Sequence, residues 1–322
     1  MQSAPRTLVV LGTGGTIAGS AASADENVGY RAATLPVAAL VASLAVPPSL
    51  VVESEQVAQL DSKDMDFATW RRLALRVAAQ LARPEVAAVV VTHGTDTLEE
   101  TAYFLQRLLA PAKPVVFTAA MRPATSRLAD GPQNLADAVA VALAPGARGV
   151  VVVVAGSVHS ALDVRKAHPY RLDAFRSGDA GAIARVEEGR LRRFRAWPDG
   201  AAPPFEPDCL PSAAAAWPWV AVVTGGAGAD ARAVRALVDA GCAGIVVAAT
   251  GNGRVHAALE APLREAMARG CAVLRSTRCL DGTVIDAEPP DTDIPSAGAL
   301  TPQQARVELI VRLLQRGVDA AT

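Results

Sequence analysis

Along the chain, short unbroken apolar runs take turns with longer segments whose apolar residues recur every three or four positions. The runs at 8–11, 86–92, 114–118 and 149–155 are continuous rather than alternating, as parallel strands covered on both faces require. Helical spacing marks 36–44, 67–81, 98–109 and 134–144, and 50–53 is a shorter strand candidate. This regular alternation of strand and helix is the signature of a doubly wound parallel sheet. Residues 183–194 read as a hairpin turning at Glu187-Glu188-Gly189, and the Pro- and Ala-rich stretch 197–218 has no period and reads as a linker. Strands at 220–224, 245–249 and 272–275 then alternate with helices at 229–240 and 255–269. Thr301-Pro302-Gln303-Gln304 opens the last helix with a capping box and a proline at its first position. The predicted fold is α/β with two domains. A larger N-terminal domain, 1–196, holds a mostly parallel doubly wound sheet, and a smaller parallel α/β sheet fills 219–322 after the 197–218 linker.

Composition narrows the partners. At 322 residues, 51% apolar and 20% charged, the chain can bury one large core or two smaller ones. A formal net charge of −1 gives no electrostatic reason to expect nucleic acid or an anionic membrane, so a small molecule is the expected partner. The four cysteines, Cys209, Cys242, Cys271 and Cys279, form no CxxC pair and have no histidine at metal-ligand spacing, so reduced thiols and no metal are expected. Residues 1–6 leave no room for a signal peptide before the first strand, and no stretch approaches the roughly 20 apolar residues of a membrane span, so the expected compartment is the cytoplasm.

The chemistry gathers where strands empty into loops. After Leu8-Val9-Val10-Leu11, the glycines Gly12, Gly14 and Gly15 let the backbone turn sharply and let a ligand approach its N–H groups. Thr13 and Thr16 are the only reactive side chains of that turn. A dinucleotide fingerprint needs glycine where Ile17 stands, and a phosphate loop needs lysine where Ser20 stands, so both nucleotide patterns are incomplete. A structural glycine turn and a hydroxyl nucleophile remain. The strand at 86–92 ends likewise in His93-Gly94-Thr95-Asp96-Thr97, followed by a helix with Glu99 and Glu100 in its first turn, where the dipole favours negative charge. Ligands of open parallel sheets bind outside the carboxyl ends of the strands, which is where both loops emerge.

Gly14-Gly15-Thr16-Ile17-Ala18-Gly19, together with Val91-Thr92-His93-Gly94-Thr95-Asp96-Thr97-Leu98-Glu99-Glu100-Thr101-Ala102-Tyr103, resembles the bacterial-type L-asparaginase and glutaminase-asparaginase family. The likeness continues through Ala120-Met121-Arg122-Pro123, Ala129-Asp130-Gly131-Pro132 with Asn134, Gly251-Asn252-Gly253 and Asp286-Ala287-Glu288, and so covers nearly the whole chain. It implies hydrolysis of L-asparagine to L-aspartate and ammonia, with glutamine as a secondary substrate and without metal or cofactor. It also implies a covalent acyl-enzyme on Thr16 and a homotetramer built from close dimers. An unactivated amide demands a nucleophile, a proton path and donors for the oxyanion, which the glycines Gly15 and Gly94 leave the backbone open to offer.

By the same resemblance Lys166 joins Thr95 and Asp96 in a relay, and Tyr30 is a lid tyrosine that polarises Thr16. A carboxylate beside Lys166 favours its ammonium while desolvation favours the neutral amine a base needs, and the sequence leaves that balance open. Ser62 is implied to bind the substrate's α-carboxylate, and Asp96 and Glu288 its ammonium, with Asn252 supporting them across a subunit interface. On local grounds alone Asp61, Ser62 and Asp64 are all caps for the helix at 67–81, so Ser62 is either cap or ligand. Lys63 stands where many family members have glutamine: it either tightens carboxylate binding or points into solvent. His93 reads as a core histidine bonded to the backbone, and Trp217 and Trp219 as anchors of the strand at 220–224. The other functional class in play is a regulatory module that binds an amino acid without turning it over. Thr16, Thr95, Asp96 and Lys166 together argue against it, since a sensor needs no relay.

Overall fold

A computed structural model of the chain describes residues 6–42, 44–199 and 203–321. The lead-in at 1–5, position 43 of the expected 36–44 helix and positions 200–202 of the expected linker lie outside them. The chain divides into two compact units at Leu210 and Pro211.

In chain order the first unit contains β1 (Arg6–Gly14), α1 (Val37–Val41), β2 (Leu50–Leu60), α2 (Phe67–Leu81), β3 (Val86–Thr92), α3 (Leu98–Leu109), β4 (Val115–Thr118), α4 (Gly131–Ala142), β5 (Val150–Val154) and β6 (Ser157–Ser160). A two-residue pair follows, β7 (Arg165–Lys166) and β8 (Phe175–Arg176), and then the hairpin β9 (Ala184–Glu187) and β10 (Arg190–Arg193). Eight strands form one sheet in the order β10-β9-β6-β5-β4-β3-β1-β2. The five from β5 to β2 are parallel, and β6, β9 and β10 extend the sheet antiparallel. The architecture is the mostly parallel α/β sheet expected.

Successive strand residues point to opposite faces, so each parallel strand supplies two cores. Leu8, Val10, Val90, Val116, Val151 and Val153 share one of them with Val37 of α1 and with Leu135, Ala138 and Val139 of α4. Between α2 and α3, the Trp70 ring stacks on Phe104 at 4.7 Å and its Nε1–H donates to Thr101 Oγ1 at 3.0 Å, giving a buried indole the partner it needs. The buried residues of α2 include Trp70, Leu73, Ala74 and Val77, which recur at helical spacing.

Several boundaries differ from the pattern reading. β2 runs on to Leu60 because it is the outermost strand and tolerates polar residues: Arg83 pairs with Glu53 at 2.7 Å and Arg76 with Glu55 at 2.7 Å along it. α4 begins at Gly131 rather than 134, since Pro132 is accepted in a first helical turn. The cap of α2 is none of the three residues expected. Asp66 accepts the Thr69 N–H at 2.7 Å, while Asp61 caps only the short turn at Ser62–Asp64. Within the expected linker, Trp197, Phe205 and Leu210 are buried, and Leu210 O accepts Arg71 Nε–H at 3.0 Å, so the stretch is packed at these points.

The second unit has β11 (Val220–Thr224), α5 (Arg232–Asp239), β12 (Gly244–Ala249), α6 (Ala257–Ala268), β13 (Ala272–Thr277) and α7 (Pro302–Ala321). Its three strands are parallel in chain order. The capping box forms as read: Thr301 N–H donates to Gln304 Oε1 at 3.2 Å and Gln304 N–H to Thr301 Oγ1 at 3.1 Å. Trp217 is buried with its Nε1–H on Pro211 O, whereas Trp219 is 45% exposed and does not act as an anchor.

Candidate active site

β1 and β3 are parallel neighbours with Gly12 beside Thr92, so the loops that follow them leave the same edge of the sheet together. Thr13 spends its hydroxyl on this junction, donating to Thr92 O at 3.0 Å. Gly15 lies at φ 79°, and a Cβ there would fall 2.3 Å from the Gly94 Cα. A Cβ on Gly94 would fall 2.4 Å from Ser62 Oγ. Real Cβ atoms do not approach this closely, so the Thr16 turn, the Thr95 loop and the Ser62 turn interlock through two glycines. The Gly15 N–H donates to Leu60 O at 2.9 Å, so it holds the turn and is not itself a donor for a ligand.

Thr16 opens a buried turn, Thr16–Ala18, and its Oγ1 lies 2.6 Å from the Tyr30 hydroxyl. The segment between them is tied down at several points. Ser20 and Arg31 exchange main-chain bonds of 2.9 Å, the Ala21 N–H reaches Thr125 Oγ1 at 2.9 Å, and Ser126 Oγ donates to Asn27 Oδ1 at 2.6 Å. Behind the turn, Ile17 and Ala18 pack on Ala120, and a Cβ on Gly131 would meet Ile17 at 2.9 Å. Asp130 accepts the N–H groups of Met121 and Arg122 and the Asn134 amide, while Asn134 also reaches Ala119 O and receives the Ala155 N–H. The Asp-Gly-Pro-x-Asn stretch is thus a brace beneath the Thr16 turn.

The second set centres on Lys166, whose side chain is 16% exposed. Its Nζ donates to Thr95 Oγ1 at 2.9 Å and to Asp96 Oδ1 at 2.6 Å. Ser62 is buried and does not cap α2. Its Oγ accepts the Asp96 N–H at 3.1 Å and its carbonyl accepts the Thr97 hydroxyl at 2.8 Å, which leaves the Ser62 O–H as a donor. Lys63 turns the other way: its ammonium lies 2.7 Å from Asp64 and 3.2 Å from Asp61, with 61% of the side chain exposed. Those carboxylates raise its pKa above the usual lysine value.

Burial drives the titration of two further groups. His93 donates from Nδ1 to Gly94 O at 2.7 Å, and desolvation pushes its pKa down to about 4, against the bond to Gly94. It is the neutral, backbone-bonded core histidine expected. Glu99, in the first turn of α3, was read only as a dipole partner. It is buried, and its carboxylate accepts the Lys166 main-chain N–H. The signal for it was the pairing of two acids in one helical turn, only one of which can face solvent. Asn252 and Glu288 belong to the second unit and are exposed there, and the Asn252 amide is bonded to both the N–H and the C=O of Ile285 at 2.8 Å.

Two family descriptions match the chain: "Asparaginase, N-terminal" over residues 7–198 and "Glutaminase/Asparaginase C-terminal domain" over residues 219–322. It is 37% identical over 317 residues to the probable periplasmic L-asparaginase of Haemophilus influenzae, covering 96% of this chain and 88% of that protein. To the glutaminase-asparaginase of Pseudomonas fluorescens biotype A it is 36% identical over 313 residues, covering 95% and 86%. Among solved structures, the probable cytoplasmic L-asparaginase from Campylobacter jejuni has a TM-score of 0.87 at 34% identity and 98% coverage of both chains.

Proposed function

The chain belongs to the asparaginase family through both of its domains, and from that premise we propose that it hydrolyses L-asparagine to L-aspartate and ammonia through a threonyl acyl-enzyme. Thr16 Oγ1 attacks the side-chain amide carbon, and its proton moves by way of the Tyr30 hydroxyl to the leaving nitrogen. The C–N bond breaks, ammonia departs and an ester on Thr16 remains. Water then attacks the ester, giving its proton to the Thr95, Lys166 and Asp96 set. The C–O bond breaks, the same set returns that proton to the departing Thr16 oxygen, and aspartate leaves with its new carboxyl proton passed to water. Main-chain N–H groups of the two glycine turns, other than that of Gly15, hold the oxyanion in both steps.

The observation that carries this reading is Lys166 Nζ bonded to both Thr95 and Asp96, which lie in a loop interlocked with the Thr16 turn through Gly15 and Gly94. In the proposal the Ser62 hydroxyl donates to the substrate's α-carboxylate. Asp96 binds the α-ammonium, with Glu288 and Asn252 of a neighbouring subunit in a homotetramer. We also propose a cytoplasmic enzyme, supported by four cysteines without paired spacing.

The test is ammonia release by purified protein with each amide. Asparagine is expected to give the larger kcat/KM and glutamine, one methylene longer, a value about 10- to 200-fold lower. Binding of asparagine without ammonia would return the reading to the amino-acid sensor. Lys63, engaged with Asp61 and Asp64, is expected to be a bystander. Lys63→Gln leaves KM within about twofold, whereas loss of a carboxylate contact would raise KM at constant kcat.

A further inference from the structure

Lys166 lies on a strand of only two residues, β7, which among the described residues pairs with β8 alone and is not part of the eight-stranded sheet. Such a short pair is a weak support for a side chain that must hold two hydrogen bonds at fixed length. The missing support comes from the segment that Lys166 Nζ already addresses. Thr95 and Asp96, just before α3, take the Nζ bonds, and Glu99, in its first turn, takes the main-chain N–H of the same lysine. Both ends of Lys166 are thereby fastened to one stretch of five residues, 95–99. Glu99 is 9% exposed, so its carboxylate is committed to this contact rather than to water.

Resting on the threonine reading above, we propose that Glu99 is a positioning residue for hydrolysis, fixing the Lys166 main chain so that Nζ meets Thr95 and Asp96 together. Glu99 does not touch substrate; it acts through the lysine. Burial pushes its pKa up to about 7, opposed by the Lys166 N–H and by the charges of Arg165 and Lys166 on β7, and reinforced by Glu100 on its own helix. Above that pH the anchor is an ionised carboxylate, whose hydrogen bond is the stronger one, and below it a neutral acid. The kcat of the native protein therefore rises through about pH 7 as the charged anchor forms.

The sign for stability is the opposite. With the folded pKa above the unfolded value of 4.5, the native state keeps a proton that the unfolded chain gives up between pH 4.5 and about 7. Glu99 thus lowers stability as pH rises through that window, and Glu99→Gln, which cannot ionise, is expected to match or exceed the native Tm at pH 8.

The experiment is steady-state ammonia release from asparagine between pH 5.5 and 9 by the full chain, with Lys166→Met as control. Glu99→Ala is expected to lower kcat roughly 10- to 100-fold with KM within about twofold, the scale of a displaced catalytic group. Glu99→Gln keeps an acceptor for the Lys166 N–H and restores kcat to within about fivefold, but its profile loses the step near pH 7. Native kcat in Glu99→Ala, a loss carried by KM, or a step retained in Glu99→Gln overturns the assignment. Should Glu99→Ala not fold, the Glu99→Gln profile decides. An inactive Lys166→Met beside a fully active Glu99→Ala removes only this inference, whereas an active Lys166→Met removes the relay itself.

Discussion

Thr16→Val is expected to abolish ammonia release from asparagine, lowering kcat by about a thousandfold or more while the fold persists. Valine keeps the volume and β-branching of threonine, so the buried turn at Thr16–Ala18 retains its packing on Ala120. What disappears is the oxygen 2.6 Å from the Tyr30 hydroxyl, and with it the atom that forms the ester. An orphaned tyrosine hydroxyl costs about 1–3 kcal/mol where it is fully buried, and Tyr30 is only half-buried, so the structural penalty is smaller. Circular dichroism and ammonia release separate the two effects. A folded Thr16→Val with more than about a hundredth of the native rate would assign the nucleophile to another residue.

The next largest effect is expected at Lys166. Lys166→Met keeps an unbranched side chain of similar reach, suited to a site with 16% exposure, and removes the donor to Thr95 and Asp96. Loss of a positioned proton-transfer group lowers rates by about 10²- to 10⁴-fold, and the loss is expected in kcat, because Ser62 and Asp96 still address the substrate's charged groups. A kcat within tenfold of native would mean that the lysine serves only as an ion-pair partner of Asp96. The two variants also differ in kind. Thr16→Val stops the first covalent step, whereas Lys166→Met slows the second and is expected to let ester accumulate, which mass spectrometry of the quenched protein detects as an added acyl mass.

The central strands were legible because parallel strands buried on both faces admit little besides valine, leucine and isoleucine. At the margins that constraint lapses. Past its apolar start β2 carries Glu55, Gln56 and Gln59, and the antiparallel β6 reads Ser157-Val158-His159-Ser160, so apolar continuity stopped short of both, whereas the β9–β10 hairpin was legible from its Glu187-Glu188-Gly189 turn. In the site, glycines beside the hydroxyls of Thr13, Thr16 and Thr95 marked both loops, and the family resemblance singled out Thr16 and Thr95, while Thr13 spends its hydroxyl on Thr92 O. The cap of α2 did not stand out, since four candidate residues crowd within 61–66 and only the backbone path decides which oxygen reaches the Thr69 N–H. Glu99 was hidden for a different reason. A carboxylate in a first helical turn is explained by the dipole alone, and its contact with Lys166 spans 67 residues of sequence.

The outermost position of β2 has a consequence for handling the protein in concentrated solution. Among the described residues this eleven-residue strand is bonded on one side only, which makes it a ready template for strand addition by a second chain. The acidic side chains of Glu53 and Glu55, neutralised in place by Arg83 and Arg76, make that margin costly to cover, because a docking strand would have to desolvate both ion pairs. These half-buried pairs therefore matter less as cement for the fold than as a guard against aggregation, and an apolar residue at Glu53 or Glu55 would disarm it.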